Sequence, residues 1–130
     1  MAADNNWVES KEAQVKDLLD KLYNAETSKE CAEHADKLGA LLKEEGILGL
    51  ERYGIIDNFS AAVKNKKSGI ARESGLIGFV SLFRSMGPTT EPMFIPILPL
   101  ILGAYADKGD VVREAAESAI RELSLLPPPY

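Results

Sequence analysis

The sequence predicts an all-α solenoid of three antiparallel helix hairpins, and two observations carry this prediction. Residues 59–82 return without a gap as residues 100–123, an offset of 41, so that Arg72 is matched by Arg113. Each copy also holds one short polar turn between two stretches whose apolar residues have helical spacing. A period near 40 residues with one turn inside it is typical of two-helix repeats that stack on one another. We therefore expect six helices in a right-handed stack that presents a surface.

The first hairpin is predicted over residues 10–45. Apolar residues at 3-and-4 spacing predict its first helix over residues 10–25. Thr27 stands three residues before Glu30, which is the spacing of a capping box, and should open the second helix. Gly46 is a suitable C-terminal cap for that helix.

The second hairpin is predicted over residues 48–86, with helices at about 48–65 and 69–86. Gly75 and Gly78 lie three residues apart inside the second of these helices. Glycine within a helix costs about 0.5–1 kcal/mol relative to alanine. We expect both to be kept because a neighbouring helix approaches too closely for a methyl group.

The third hairpin is predicted over residues 91–125. Thr90 should cap its first helix, and Pro96 and Pro99 should kink that helix because each removes a backbone hydrogen bond. Asp110 is the expected N-cap of its second helix. The apolar run at 95–102 could suit a buried strand, but the prolines and the 41-residue register favour helix.

Residues 1–126 are expected to form a single domain, with residues 127–130 as a proline-rich linker to a region beyond this chain. The tetrapeptide Pro-Pro-Pro-Tyr also matches the short motif that WW modules bind, although its position favours a linker. The last helix carries Ile120 and Leu123, and no polar capping repeat follows. We expect that apolar face to mediate self-association.

The composition narrows the functional classes. The chain has 130 residues, is 45% hydrophobic and has a net charge of −5, which argues against nucleic-acid binding by the whole surface. It has one cysteine, no apolar run of 18 residues and no signal-peptide pattern, so we expect a cytoplasmic protein that does not span a membrane.

Cys31 and His34 form an ordinary pair on a helix surface and are too few for zinc. No catalytic, cofactor-binding or metal-binding residues are predicted.

One dense basic patch is the candidate partner-binding site. It comprises Lys64, Lys66, Lys67 and Arg72, at the turn inside the second hairpin, and is called the basic turn below. Exposed turns of a solenoid are places where partners bind. A phosphate backbone or an acidic protein surface would suit it; a solvated turn at a helix C-terminus is the simpler alternative.

Residues 99–120 resemble a HEAT repeat. They have a proline in the first helix, an aspartate-rich turn and then the pattern Val-Arg-x-x-Ala, which makes Pro99, Asp110 and Arg113 structural repeat positions. From its place near the turn, Arg113 should reach a turn carbonyl or carboxylate and so tie repeat to repeat.

A narrower resemblance links most of the chain to the N-terminal HEAT region of the fungal translation elongation factor 3 family. It is carried by residues 15–22, 59–67 and 91–99, in that order. Residues 64–123 are also similar to the large HEAT-repeat activator of the amino-acid-starvation kinase. The first resemblance implies a ribosome-associated ATPase with two ATP-binding cassettes, whose HEAT domain docks on the small ribosomal subunit. No cassette is present in this sequence.

The leading functional hypothesis is therefore a non-catalytic docking module, without a cofactor, that binds the ribosome or translation factors. The first alternative is a general protein-interaction scaffold of the transport-receptor or phosphatase-subunit kind. A helical-repeat enzyme is disfavoured because the required histidine, metal and nucleophile sets are missing.

Overall fold

The computed structural model describes residues 2–87 and 91–125, with side chains from Lys11 onward. Within these ranges the chain is helical apart from short turns and contains no strand. The apolar run at 95–102 is helical as well. The all-α prediction is therefore confirmed, whereas Thr90 and residues 127–130 lie outside the described residues.

The helices pack as a stack of hairpins. In chain order they are α1 Ala2–Tyr23, α2 Ser28–Glu45, α3 Ile47–Arg52, α4 Ile55–Val63, α5 Gly69–Met86, α6 Glu91–Phe94, α7 Leu98–Gly103 and α8 Asp110–Ser124. Helix α5 packs against α2 on one side, against α8 on the other and against α4 within its own hairpin. Helices α2, α5 and α8 therefore form one layer of a solenoid. Helix α1 begins earlier than predicted, since no glycine or proline interrupts residues 2–23.

The predicted caps of α2 are confirmed. The Thr27 hydroxyl accepts a hydrogen bond from the Glu30 backbone N–H at 3.0 Å, and the Glu30 carboxylate accepts one from the Glu26 N–H at 3.0 Å. Gly46 ends the helix with a φ of +67°, a conformation that favours glycine.

The prediction of one continuous helix over residues 48–65 was wrong. The chain breaks at Tyr53-Gly54, and Gly54 is left-handed, with φ +58° and ψ +38°. Glycine adopts this conformation without the steric cost that other residues bear. The break separates α3 from α4, so the first helix of the second hairpin has two segments.

The predicted kink in the third hairpin is confirmed. After α6 a 3₁₀ turn covers Ile95–Ile97, α7 follows, and a second 3₁₀ turn covers Ala104–Ala106. Pro96 and Pro99 fall near the starts of the first 3₁₀ turn and of α7, where a missing N–H is tolerated. The predicted N-cap at Asp110 was wrong by one residue: Gly109 is the cap, and Asp110 is the first residue of α8.

Close helix contacts explain the internal glycines, as expected. A methyl group on Gly75 would lie 2.8 Å from the carbonyl oxygen of Phe59. A methyl on Gly78 would lie 2.6 Å from a ring carbon of the same phenylalanine, and one on Gly39 would collide with Ser85. These glycines therefore set the distances from α5 to α4 and from α2 to α5.

Aromatic contacts join the second hairpin to the third. The rings of Phe59 and Phe79 meet edge to face at 5.5 Å, and Phe79 stacks on Phe83 at 5.8 Å. Phe83 then meets Phe94 at 4.6 Å. All four rings are buried. Such pairs contribute about 0.5–1.5 kcal/mol each beyond the area they bury.

Candidate docking site at the basic turn

The turn between α4 and α5 is held by its own polar side chains. The Asn65 side-chain oxygen accepts hydrogen bonds from the backbone N–H groups of Lys67 and Ser68, at 3.0 and 3.2 Å. The Ser68 hydroxyl accepts one from the Ala71 N–H at 3.1 Å and so caps α5. Asparagine and serine form such local turns readily. The backbone that carries the lysines is therefore defined.

The three lysines of the basic turn are exposed, while its arginine is not. No ion pair to Lys64, Lys66 or Lys67 occurs within the described part of the chain. Arg72 instead binds Asp107 through two hydrogen bonds, of 2.7 and 3.2 Å, and each of these two side chains is only 11% exposed. Partner binding by the three lysines therefore stays a prediction, whereas the Arg72 side chain is engaged in the ion pair with Asp107.

The Arg72–Asp107 pair connects two hairpins. Arg72 also donates to the Asn65 carbonyl oxygen of its own turn, at 2.8 Å. The hydrogen-bonded Arg72 guanidinium holds the pKa of Asp107 below its usual value, and the hydrogen bond from the Gly109 N–H lowers it further by a smaller amount. A bidentate, charge-assisted pair of this kind gives geometric specificity as well as energy. It fixes the second turn against the third.

Arg113 reaches the groups expected of it, but within its own turn. It donates to the Asp107 carbonyl oxygen at 2.6 Å and pairs with the carboxylate of Asp110. The link from repeat to repeat, which was expected of Arg113, is made by Arg72. Pro99 lies in the first turn of α7 and is exposed. Asp110 is exposed as well, and it balances the charge of Arg113.

The structure adds one lysine that sequence reasoning missed. Lys108 lies in the turn before α8 and is exposed. With Lys64 and Lys66 it lines a groove of about 460 Å³ between the second and third turns, over the Arg72–Asp107 pair. The 41-residue offset, which matches Lys108 to Lys67, is the signal that could have found it. We call Lys64, Lys66, Lys67 and Lys108 the lysine edge.

No carboxylate of the two turns that form the lysine edge is left to neutralise its lysines. The carboxylates of Asp107 and Asp110 are each paired with an arginine. The N-termini of α5 and α8 start at this edge and the C-terminus of α4 ends there, so the partial charges of the helix ends largely offset each other and the lysines supply the net charge. In a chain of net charge −5, this edge is a local concentration of positive charge. Whether it binds an anionic surface stays a prediction.

Cys31 and His34 are not a surface pair as predicted. Cys31 is buried, and burial raises the pKa of its thiol to about 11. A Ser74 hydrogen bond acts in the opposite direction but is the smaller effect. His34 lies 3.8 Å from the Glu30 carboxylate. Among the described residues, no group of three or more His, Cys, Asp or Glu side chains could hold a metal ion.

The apolar face expected of the last helix is partly used inside the chain. Leu123 is only 9% exposed, and Ile120 packs in part against the core. The large apolar side chains that the third hairpin exposes are elsewhere, at Ile95, Leu102, Tyr105, Val111 and Leu125. Leu123 is thus covered within the chain while Ile120 stays half-buried, and self-association through the last hairpin stays a prediction.

The fold and its turns define a class of protein. The structure shows stacked helix hairpins, prolines at the interruptions of the first helix of the third hairpin and an arginine–aspartate pair between two successive turns. This arrangement fits the class of two-helix repeats that includes HEAT repeats. The chain belongs to the family described as the EF3 N-terminal HEAT repeat, whose model matches residues 31–130. The described residues are a helical HEAT-repeat region.

Curated relatives agree with this family. The chain is 39% identical over 107 residues to the mRNA export factor elf1 of Schizosaccharomyces pombe, covering 82% of this chain and 10% of the relative. It is 27% identical over 124 residues to Elongation factor 3 of Gonapodya prolifera, covering 95% and 11%. It is 30% identical over 104 residues to the human stalled ribosome sensor GCN1, covering 80% and 4%.

The chain thus spans about a tenth or less of the length of these relatives. No solved structure matches it. Within the described residues, no helix is both long and apolar enough to cross a membrane.

Proposed function

We propose that this chain is the docking module of a cytoplasmic, ribosome-associated factor of the elongation factor 3 type. It holds the factor on the ribosome, through ribosomal RNA and ribosomal proteins, or on translation factors. It needs no cofactor of its own, and ATP-binding cassettes of the ABC-F type elsewhere in the whole protein supply the ATPase activity.

The observation that carries this proposal is the uncompensated charge of the lysine edge. Phosphate groups are the most abundant anions on an RNA-containing particle, and lysines bind them by releasing condensed counterions. The relatives include an mRNA export factor, an elongation factor and a stalled ribosome sensor, which supports a role in translation or RNA handling. A solenoid suits this role because it offers an extended, preformed surface.

Sedimentation with purified ribosomes over a series of salt concentrations tests the proposal. Reversing three charges of the lysine edge, Lys64→Glu, Lys66→Glu and Lys67→Glu, should weaken binding and lower the salt dependence. The slope of log K against log salt falls by about 0.7–0.9 for each lost phosphate contact, hence by about 2–3 in the triple variant.

A matched control reverses three exposed lysines on α1 and α2, Lys16→Glu, Lys37→Glu and Lys43→Glu. These changes give the same net charge at positions away from the lysine edge. Equal loss of binding in both triple variants would mean that net charge alone acts. Salt-insensitive binding, unchanged in the first variant, would reject the lysine edge as the contact.

A second candidate is the HEAT region of a starvation-kinase activator. It is favoured by the 30% identity to the Dictyostelium discoideum eIF-2-alpha kinase activator GCN1, which covers 82% of this chain. The coding sequence downstream of Tyr130 separates the two candidates. Two Walker motifs there would support a factor of the elongation factor 3 type, and a continued series of HEAT repeats alone would support the starvation-kinase activator.

A further inference from the structure

A groove runs over the layer of second helices, on a different face from the lysine edge. It lies along α5, between α2 and α8, and has a volume of about 360 Å³. Its floor consists of small and apolar side chains, among them Ala32, Ile77, Val80 and Ala115. Pockets that bury a small ligand measure about 300–1,000 Å³, so this groove has room for a few side chains of a peptide.

The charges around the groove are mainly negative once internal pairs are taken into account. Arg84 lies at one end, but Glu122 binds it at 2.8 Å. Glu73 and Glu114 line the groove, and within the described residues neither forms an ion pair. Glu73 accepts a hydrogen bond from the Ser28 hydroxyl at 2.6 Å, which fixes its position and leaves its charge in place.

Two further groups complete this charge balance. Ser81 in the floor donates to the Asp36 carboxylate at 2.6 Å, which places a third negative charge beside the groove. Lys29 on the rim is the remaining cation and offsets one of the three. The groove therefore combines an apolar floor with a net negative rim, a pattern opposite in sign to the lysine edge.

We propose that this groove docks a short basic and apolar segment of a partner protein. Apolar side chains of the segment cover Ile77 and Val80, and its lysines or arginines reach Glu73 and Glu114. The charge complementarity selects this occupant, because an acidic segment would face uncompensated carboxylates. The proposal is independent of ribosome binding, since it uses another face and a ligand of opposite charge.

Fluorescence anisotropy with two labelled 14-residue peptides tests the proposal. One is the amphipathic lysine peptide LKKLLKLLKKLLKL, and the other has glutamate in place of every lysine. At physiological salt the lysine peptide should bind and the glutamate peptide should not. The double variant Glu73→Gln and Glu114→Gln should weaken binding about twofold to thirtyfold, as expected for the loss of two ion pairs at the surface.

Two controls separate docking in the groove from general attraction to an acidic protein. The double variant Glu33→Gln and Glu117→Gln removes the same charge from exposed positions of α2 and α8 outside the groove, and should leave binding unchanged. Ile77→Asp makes the groove more acidic but removes its apolar floor, and should weaken binding by about tenfold or more. Circular dichroism checks that each variant is folded.

Three outcomes would overturn the proposal. The first is an equal loss of binding in the two glutamine double variants, and the second is tighter binding by a folded Ile77→Asp variant. The third is the absence of a preference for the lysine peptide, whether both peptides bind comparably or the lysine peptide does not bind. If Ile77→Asp does not fold, the two glutamine variants decide the question by themselves.

Discussion

Adding one methyl group at Gly75 should destabilise this protein, although alanine is the better helix former. The new methyl carbon would lie 2.8 Å from the Phe59 carbonyl oxygen, 2.9 Å from the Ala62 methyl and 3.0 Å from a Val63 methyl. The nearest group is backbone and cannot rotate away. Helix α5 must therefore move away from α4.

The magnitude follows from two opposing effects. Alanine gains about 0.5–1 kcal/mol over glycine inside a helix. Overpacking a close contact costs about 1–3 kcal/mol. The midpoints of the two ranges give a net loss of about 1 kcal/mol from the free energy of unfolding, or several degrees in Tm for a chain of this size.

Gly103 provides the matched control. It is in α7 with a φ of −60° and a ψ of −30°, and a methyl group there would meet no atom within 4 Å. Gly103→Ala should therefore stabilise the protein by about 0.5–1 kcal/mol. Urea denaturation followed by circular dichroism at 222 nm measures both changes. A Gly75→Ala variant as stable as the parent, or a shift of both variants in the same direction, would refute the packing argument.

Three further changes have defined outcomes. Arg72 lowers the folded-state pKa of Asp107, so the Asp107 carboxylate stabilises the fold above the usual carboxyl pKa and loses this effect as the pH falls through the lowered pKa. Asp107→Asn should therefore cost about 1–3 kcal/mol of unfolding free energy near pH 7 and almost nothing in strong acid, as measured by urea denaturation at each pH. Cys31, whose thiol pKa is raised to about 11, should react with a thiol reagent at pH 8 much more slowly in the folded protein than in urea, and equal rates would contradict its burial. Gly54→Ala places a methyl group at a φ of +58° and should cost about 1–2 kcal/mol of unfolding free energy, whereas an unchanged urea midpoint would show that this turn relaxes.

Periodicity and capping residues predict the regular parts of this fold well. The 41-residue offset places α5 and α8 in equivalent positions, and Thr27 and Gly46 mark the ends of α2 as expected. These features could be predicted because they depend on residues close together in the chain. Local sequence does not distinguish Gly54, where the helix breaks in a left-handed conformation, from Gly75, which stays helical against the Phe59 carbonyl oxygen.

The candidate site could be predicted only in part. The lysines of the basic turn lie close together in the sequence and are exposed in the structure, so the sequence alone was enough to find them. The pairing of Arg72 with Asp107 spans 35 residues and joins two hairpins. The offset matches Asp107 to Lys66, so comparison of the repeats gives no hint of this pair. Lys108 belongs to the site only because the solenoid brings its turn beside the preceding one.

The two layers of this solenoid differ in the continuity of their helices. Helices α2, α5 and α8 are unbroken, whereas the first helices of the second and third hairpins are interrupted at Gly54 and near the two prolines. Interruptions of this kind concentrate bending, because fewer backbone hydrogen bonds resist it there. Under load the stack should flex mainly through the interrupted layer, while the unbroken layer keeps its length. We therefore expect the stack to bend more readily at Gly54 and at the 3₁₀ turns of the third hairpin than along α2, α5 and α8.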